Sequence, residues 1–201
     1  MDIALEPLKK VIERVEVLTI NDEEARQLSG EHSLVKAANK ILTMGPSTLV
    51  IKKGEHGALL FNEDEVFFAP ALPLEEVLDP TGAGDTFAGG FIGYLAHTGD
   101  TSFTNMKRAV VLGSAMASFA CEKFGTDRLM DLTQEELDGQ IADFTHQLDQ
   151  AYETASNYKA NKADWFDGQW SGLSVATGDA RRGNTGVNLE RLKDVGAGLV
   201  R

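Results

Sequence analysis

Residues 79–91 read Asp79-Pro80-Thr81-Gly82-Ala83-Gly84-Asp85-Thr86-Phe87-Ala88-Gly89-Gly90-Phe91, and this glycine-rich turn decides how the rest of the chain is understood. It follows Glu76-Val77-Leu78, a short run of strand character, and opens an apolar stretch of helical length. A helix starting there presents unpaired backbone N–H groups and the positive end of its dipole, which together attract an anion. With no Cβ at Gly82 and Gly84, a phosphate can approach the main chain closely. Asp85 falls in the first helical turn, where its carboxylate is stabilised as an anion: a weak base, but a fixed one. Phosphoryl transfer through a loose transition state asks mainly for orientation and late proton acceptance, so such a base suffices. Two other loops are excluded. A Walker A loop requires Lys and Ser/Thr after its last glycine, where Asp85-Thr86 stand, and a dinucleotide fingerprint requires a third glycine where Phe87 stands. The plain alternative is an ordinary tight turn in which Asp85 only complements the helix dipole.

Outward from this turn, the chain alternates strand and helix patterns. Val15–Ile20, Thr48–Ile51, Ala58–Phe61, Val66–Phe68 and Glu76–Leu78 read as short strands. The turn Gly54-Glu55-His56-Gly57 makes a hairpin of the second and third. Helical spacing runs from Asn21, from Ser33 to Met44 before Gly45-Pro46, from Thr86 to Ala96, from Asn105 to Cys121, and from Glu135 to Leu148 with Thr133 as its cap. The helices over 86–96 and 105–121 are apolar over most of their surface, so both are expected to be buried. The pattern predicts a layered α/β domain.

Composition bounds the function. The 201 residues carry 19 basic and 31 acidic side chains, a net charge of −12, which argues against nucleic-acid and anionic-membrane partners. A single cysteine, Cys121, forms no internal disulfide and fits a reducing compartment. The expectation is a soluble, cytoplasmic protein with neither a signal peptide nor a membrane span. His32, His56, His97 and His146 are scattered without zinc-ligand spacing. All of the excess negative charge lies in residues 1–146, whereas the last 55 residues are neutral, hold both tryptophans and have few aliphatic side chains. A domain over 1–146 and an appendage over 147–201 follow.

The stretch Asp79–Phe91 also resembles the C-terminal signature of the ribokinase-like, or PfkB, carbohydrate kinases, and two further blocks extend the resemblance over residues 1 to about 145. It implies the C-terminal half of a ribokinase-like fold and ATP-dependent transfer of the γ-phosphoryl group to a sugar or nucleoside hydroxyl. Asp85 then corresponds to the catalytic base, and the N–H groups of Gly82, Ala83 and Gly84 to the anion hole. Asp79 and Thr81 fall where some members hold a monovalent cation. Asn21-Asp22-Glu23-Glu24 has two compatible readings. Asn21 and Glu24 form a capping-box pair, and they resemble the family's Asn-x-x-Glu motif, which positions Mg2+ and phosphate, a use that suits a hard cation.

Ile51–Gly57 resembles the family's segment bordering the nucleotide, which brings in Lys52, Gly54 and Gly57. Many members carry Thr in place of Lys52, whose ammonium would meet phosphate as a point charge; the alternative is a surface lysine beside a hairpin. Gly113–Phe119 corresponds to the helix along the adenine pocket, with Ser114 where Asn is frequent; close packing of small residues explains it equally. Family members are longer than the matching segment, so the expectation is a nucleotide-binding part with little activity alone. It would also have an open sheet edge that invites association, homo-oligomers included. The alternatives are a non-catalytic interaction module and a fragment of a 2-oxo acid dehydrogenase component. Residues 158–173 and Arg181–Val187 resemble a segment of the thiamine-diphosphate-dependent component of 2-oxoglutarate dehydrogenase, without its cofactor motif. The tail is expected to be extended or partly helical, with a short helix over 187–200, and to come from a misassembled reading frame rather than a functional fusion.

Overall fold

The computed structural model describes residues 5–160. The chain divides into two units, one ending at Phe144 and one beginning at Thr145. In the first, a four-stranded mixed sheet has the order β1-β2-β3-β4, made of Val17–Asn21, Thr48–Lys52, Ala58–Phe61 and Val66–Ala69. β1 and β2 run parallel, while β3 and β4 follow antiparallel. A parallel pair needs a crossover, and α2 (Asp22–Ser29) and α3 (Leu34–Leu42) supply it, after a first helix α1 (Leu5–Ile12). The β2–β3 hairpin turns through a single 3-10 turn at Gly54–His56.

Alternation along β2 divides the core in two. Leu49 and Ile51, with Phe61 across the hairpin, pack against Ala25 of α2 and Ala37, Ala38 and Ile41 of α3. Val50 and its partner Leu60 are fully buried on the opposite face, where α5 (Phe103–Ala120) lies against β3 and β4. α4 (Ala83–Thr98) packs along α5 in turn. The contact is close because both helices carry glycine there: a Cβ on Gly113 would stand 2.8 Å from the carbonyl of Phe87, and one on Gly90 would stand 3.2 Å from Gly113 Cα. α6 (Asp127–Asp131) and α7 (Gln134–Ala160) complete the described chain.

The elements follow much of the sequence pattern, but α1 and α6 were not anticipated and three other elements differ from it. Glu76–Leu78 is not a strand: the N–H groups of Leu78 and Asp79 both donate to the carbonyl of Cys121 at the end of α5, at 2.9 and 3.4 Å. Backbone spent on a helix end cannot join a ladder. The burial expected for both long helices holds for α5. α4 buries only the stripe Phe87, Phe91 and Leu95, and its Ile92 is half exposed. α7 begins beside Thr133 as expected but runs well past Leu148. Among the described residues no helix is long and apolar enough to cross a membrane. Residues 147–160 of the expected appendage continue α7, and the rest of it, with the helix over 187–200, lies outside the described residues.

Candidate active site

Open α/β sheets place their ligands beyond the carboxyl ends of parallel strands. Here that end is marked by Asn21 and Lys52, each the last residue of its strand and paired in register. From Asn21 the chain enters α2, and from Lys52 it enters the hairpin turn. Lys52 also reaches α4, because its Nζ donates to the carbonyl of Gly84 at 3.4 Å.

The mouth of α2 is closed. Asn21 Oδ1 accepts from the Glu24 N–H at 2.7 Å, and Glu24 Oε2 accepts from the Asn21 N–H at 2.8 Å. This is a complete capping box.

The mouth of α4 is open. Gly82 caps it with φ +83° and offers no side chain. A Cβ there would meet nothing within 4 Å, so backbone conformation rather than space calls for glycine. The approach to it is bent by Asp79, whose Oδ1 accepts from the Thr81 N–H at 3.0 Å. Hydrogen bonds from the Thr81 backbone and side chain hold the Asp79 carboxyl below its ordinary range. Ala83 donates to the carbonyl of Pro80 at 3.1 Å and Thr86 to that of Gly82 at 2.8 Å. The N–H groups of Gly82, Gly84 and Asp85 have no partner among the described residues. Where the motif pointed to the amides of Gly82, Ala83 and Gly84, the turn thus engages that of Ala83 and leaves that of Asp85 open. The Asp85 side chain is exposed beside them.

A cleft of about 500 Å³ adjoins this mouth, a size suited to a cofactor-sized ligand (roughly 300–1,000 Å³). Its lining gathers Lys52, Gly54, Gly57, Ala83, Gly84 and Ser114 from the residues singled out by sequence. Asn21, Glu24, Asp79, Thr81, Gly82 and Asp85 stand outside that lining. One wall was missed: Ala71, Leu72, Pro73, Leu74 and Val77 form an apolar loop facing Ala117 and Cys121 of α5. Its signal was available, since two prolines within an apolar run bar a central strand yet keep apolar side chains in a loop. Cys121 is raised from its ordinary value, first by burial and then by the charges of Asp79 and Glu122. Ser118, also on the lining, donates to the Ala115 carbonyl at 2.7 Å and accepts from Gln140 Nε2 at 3.1 Å.

No group of three His, Cys, Asp or Glu side chains among the described residues is placed to hold a metal ion. Mg2+ is usually held by one or two carboxylates with water and substrate phosphates, so it does not require such a cluster.

The sequence profile of the pfkB family carbohydrate kinases matches residues 2–132. The chain belongs to this family. A cytidine kinase from Thermococcus kodakarensis is 35% identical over 120 residues, covering 59% of this chain and 41% of the relative. Among solved pfkB-like structures, aminoimidazole riboside kinase from Salmonella enterica, in complex with aminoimidazole riboside and an ATP analogue, aligns with a TM-score of 0.62. It is 26% identical over 70% of this chain and 46% of that one. A ribokinase-II-type protein from E. coli, solved with ATP and Mg2+, aligns with a TM-score of 0.58 and 26% identity over 68% of this chain and 42% of that one. The chain therefore spans less than half the length of these relatives. A separate partial likeness joins it to the 2-oxoglutarate dehydrogenase E1 component of Brucella canis, 36% identical over 105 residues, half of this chain and 10% of that one. It agrees with the resemblance of the tail and is longer than residues 147–201.

Proposed function

We propose that this chain supplies the nucleotide-binding and proton-accepting side of an ATP-dependent kinase acting on a hydroxyl group of a sugar or nucleoside, with little turnover on its own. The reading is carried by one observation: an uncapped helix mouth, with three unpartnered N–H groups and an exposed carboxylate, beside a cleft of nucleotide size. The loop wall at 71–77 and the α5 face with Ser114 enclose the base, and the hairpin turn at Gly54–Gly57 forms the floor. The amides of Gly82, Gly84 and Asp85 steady the phosphoryl oxygens at the developing charge. Asp85 accepts the proton of the attacking hydroxyl as its oxygen bonds to the γ-phosphorus and the bond to the bridging oxygen of ADP breaks, with ADP leaving with the electron pair. Glu24, oriented by the Asn21 N–H, would hold Mg2+ through water, and Asp79 and Thr81 would hold a monovalent cation. When bound, Mg2+ neutralises charge on the β- and γ-oxygens.

The test has two arms. Mg-ATP is expected to raise the thermal midpoint of the full chain. Asp85→Ala is expected to keep that shift while removing the slow phosphoryl transfer that the unaltered chain shows to a panel of sugars and nucleosides. Absence of the shift, or unchanged transfer in the variant, overturns the proposal.

A further inference from the structure

Two adjacent lysines leave β2 in opposite directions. Lys53 lies over the ring of Phe68, 5.7 Å from its centroid. Lys52 turns into the cleft and rests on the carbonyl of Gly84 at 3.4 Å. Among the residues lining the cleft, Lys52 is the one base, and the one acid, Glu55, is almost fully exposed. A chain of net charge −12 has to hold a polyphosphate there against its own field.

The two glycines of the turn also differ in what they make room for. A Cβ at Gly82 would meet nothing, but one at Gly84 would stand 3.0 Å from Lys52 Nζ. Gly84 has ordinary helical surroundings, where alanine is intrinsically preferred. A side chain there would displace the ammonium from the Gly84 carbonyl by a few tenths of an ångström, in the first turn of the helix whose Gly84 and Asp85 amides have no partner among the described residues.

We propose that Lys52, seated by Gly84, reads the number of phosphates on the ligand: it is a specificity-determining residue that makes this cleft a polyphosphate site. The inference rests on the nucleotide reading of the cleft. With no ligand the ammonium is held by the Gly84 carbonyl; with a nucleotide it turns to the terminal phosphates, beside the amides that receive the same oxygens. A lysine serves here as a movable point charge rather than a fixed fork. Each added phosphate therefore increases the share of binding that passes through this one side chain.

The experiment titrates adenosine, AMP, ADP, ATP and inorganic triphosphate, with and without Mg2+, against the full chain and against Lys52→Gln, Lys52→Arg and Gly84→Ala, by calorimetry. In the unaltered chain affinity rises with phosphate number. In Lys52→Gln the loss is expected to be negligible for adenosine and to grow to about 10- to 100-fold for ATP, the range of a charge-assisted hydrogen bond. Lys52→Arg restores part of it, and Gly84→Ala shows the same graded loss in milder form with an unchanged or higher thermal midpoint. Equal loss for all five ligands, or no loss, overturns the proposal. Failure of the kinase reading looks different: the unaltered chain then binds inorganic triphosphate through Lys52 but gains nothing from the adenosine moiety. If it binds neither, both readings fall.

Discussion

Two helices begin at the same end of the sheet, and their first turns are finished in opposite ways. At α2 the side chains of Asn21 and Glu24 satisfy each other's backbone N–H groups, and no ligand is needed. At α4 a glycine stands where Asn21 stands in α2, no side chain closes the turn, and three N–H groups have no partner among the described residues. With glycine at the cap, the open start forgoes only about a few tenths of a kcal/mol relative to a capped one. The difference teaches where the fold is finished by its own atoms and where it leaves donors free for the anion proposed above.

The most direct way to break the contrast is to close the open mouth. Gly82→Asp brings an acceptor to the N–H groups of Gly84 and Asp85, and Asp is among the side chains that tolerate a left-handed backbone. A gained cap then offsets the strain, so thermal stability should change by less than about 1 kcal/mol. Nucleotide affinity should fall at least about 100-fold, because a carboxylate would stand against phosphate and like charges in contact cost several kcal/mol. Calorimetry with ATP checks this. Unaltered affinity would show that the anion sits elsewhere.

The closed mouth is tested with a change that spares its closure. A capping box accepts Gln in place of Glu, so Glu24→Gln should keep the bond to the Asn21 N–H and leave stability within about 0.5 kcal/mol. If the carboxylate also serves Mg2+ through water, the Mg2+ concentration that half-saturates the ATP-induced thermal shift should rise about tenfold, the lower range for losing an outer metal contact. A superimposable Mg2+ titration would leave Glu24 as a cap and nothing more.

What could be read from the sequence was whatever is settled over a few neighbouring residues. The Asn21–Glu24 box, the hairpin around Gly54–Gly57 and the stop at Gly45-Pro46 all depend on local turn chemistry, and the structure keeps them. The continuous apolar run Thr48–Ile51 became the strand buried on both faces, as such a run implies. Glu76–Leu78 looked the same locally but was decided by the distant Cys121 carbonyl, which captures its N–H groups. The site divides along the same line. Gly82, Gly84 and Asp85 were legible as a motif, whereas the engagement of Ala83 by Pro80 required the shape of the turn. The reach of Lys52 to Gly84 joins a strand end to a helix start through the sheet register, and no local pattern carries that.

A second closed mouth, at α7, shows what self-satisfaction implies for acid stability. Thr133 Oγ1 accepts from the Glu136 N–H at 3.3 Å, while Glu136 Oε2 accepts from both the N–H and the hydroxyl of Thr133 at 2.9 Å. Arg128 of α6 donates to Glu136 Oε1 at 2.8 Å and to Glu122 at 2.7 Å. The Arg128 bond first, and the Thr133 bonds next, hold the Glu136 carboxyl at about 2 instead of its ordinary 4.5. The folded chain thus takes up this proton less readily than the unfolded one. The stabilisation is complete above pH 4.5 and drains away as the pH falls toward about 2. Glu136→Gln should lower the thermal midpoint slightly at pH 7, with the two curves converging as acid protonates the native carboxylate. The effect is small because the Glu136 carboxylate is solvent-exposed, although Arg128 is largely covered. The difference between the two midpoints, followed from pH 7 to 2, isolates this group from the other carboxylates. A constant difference would mean that the charge of Glu136 contributes nothing and that its neutral hydrogen bonds close the helix unaided.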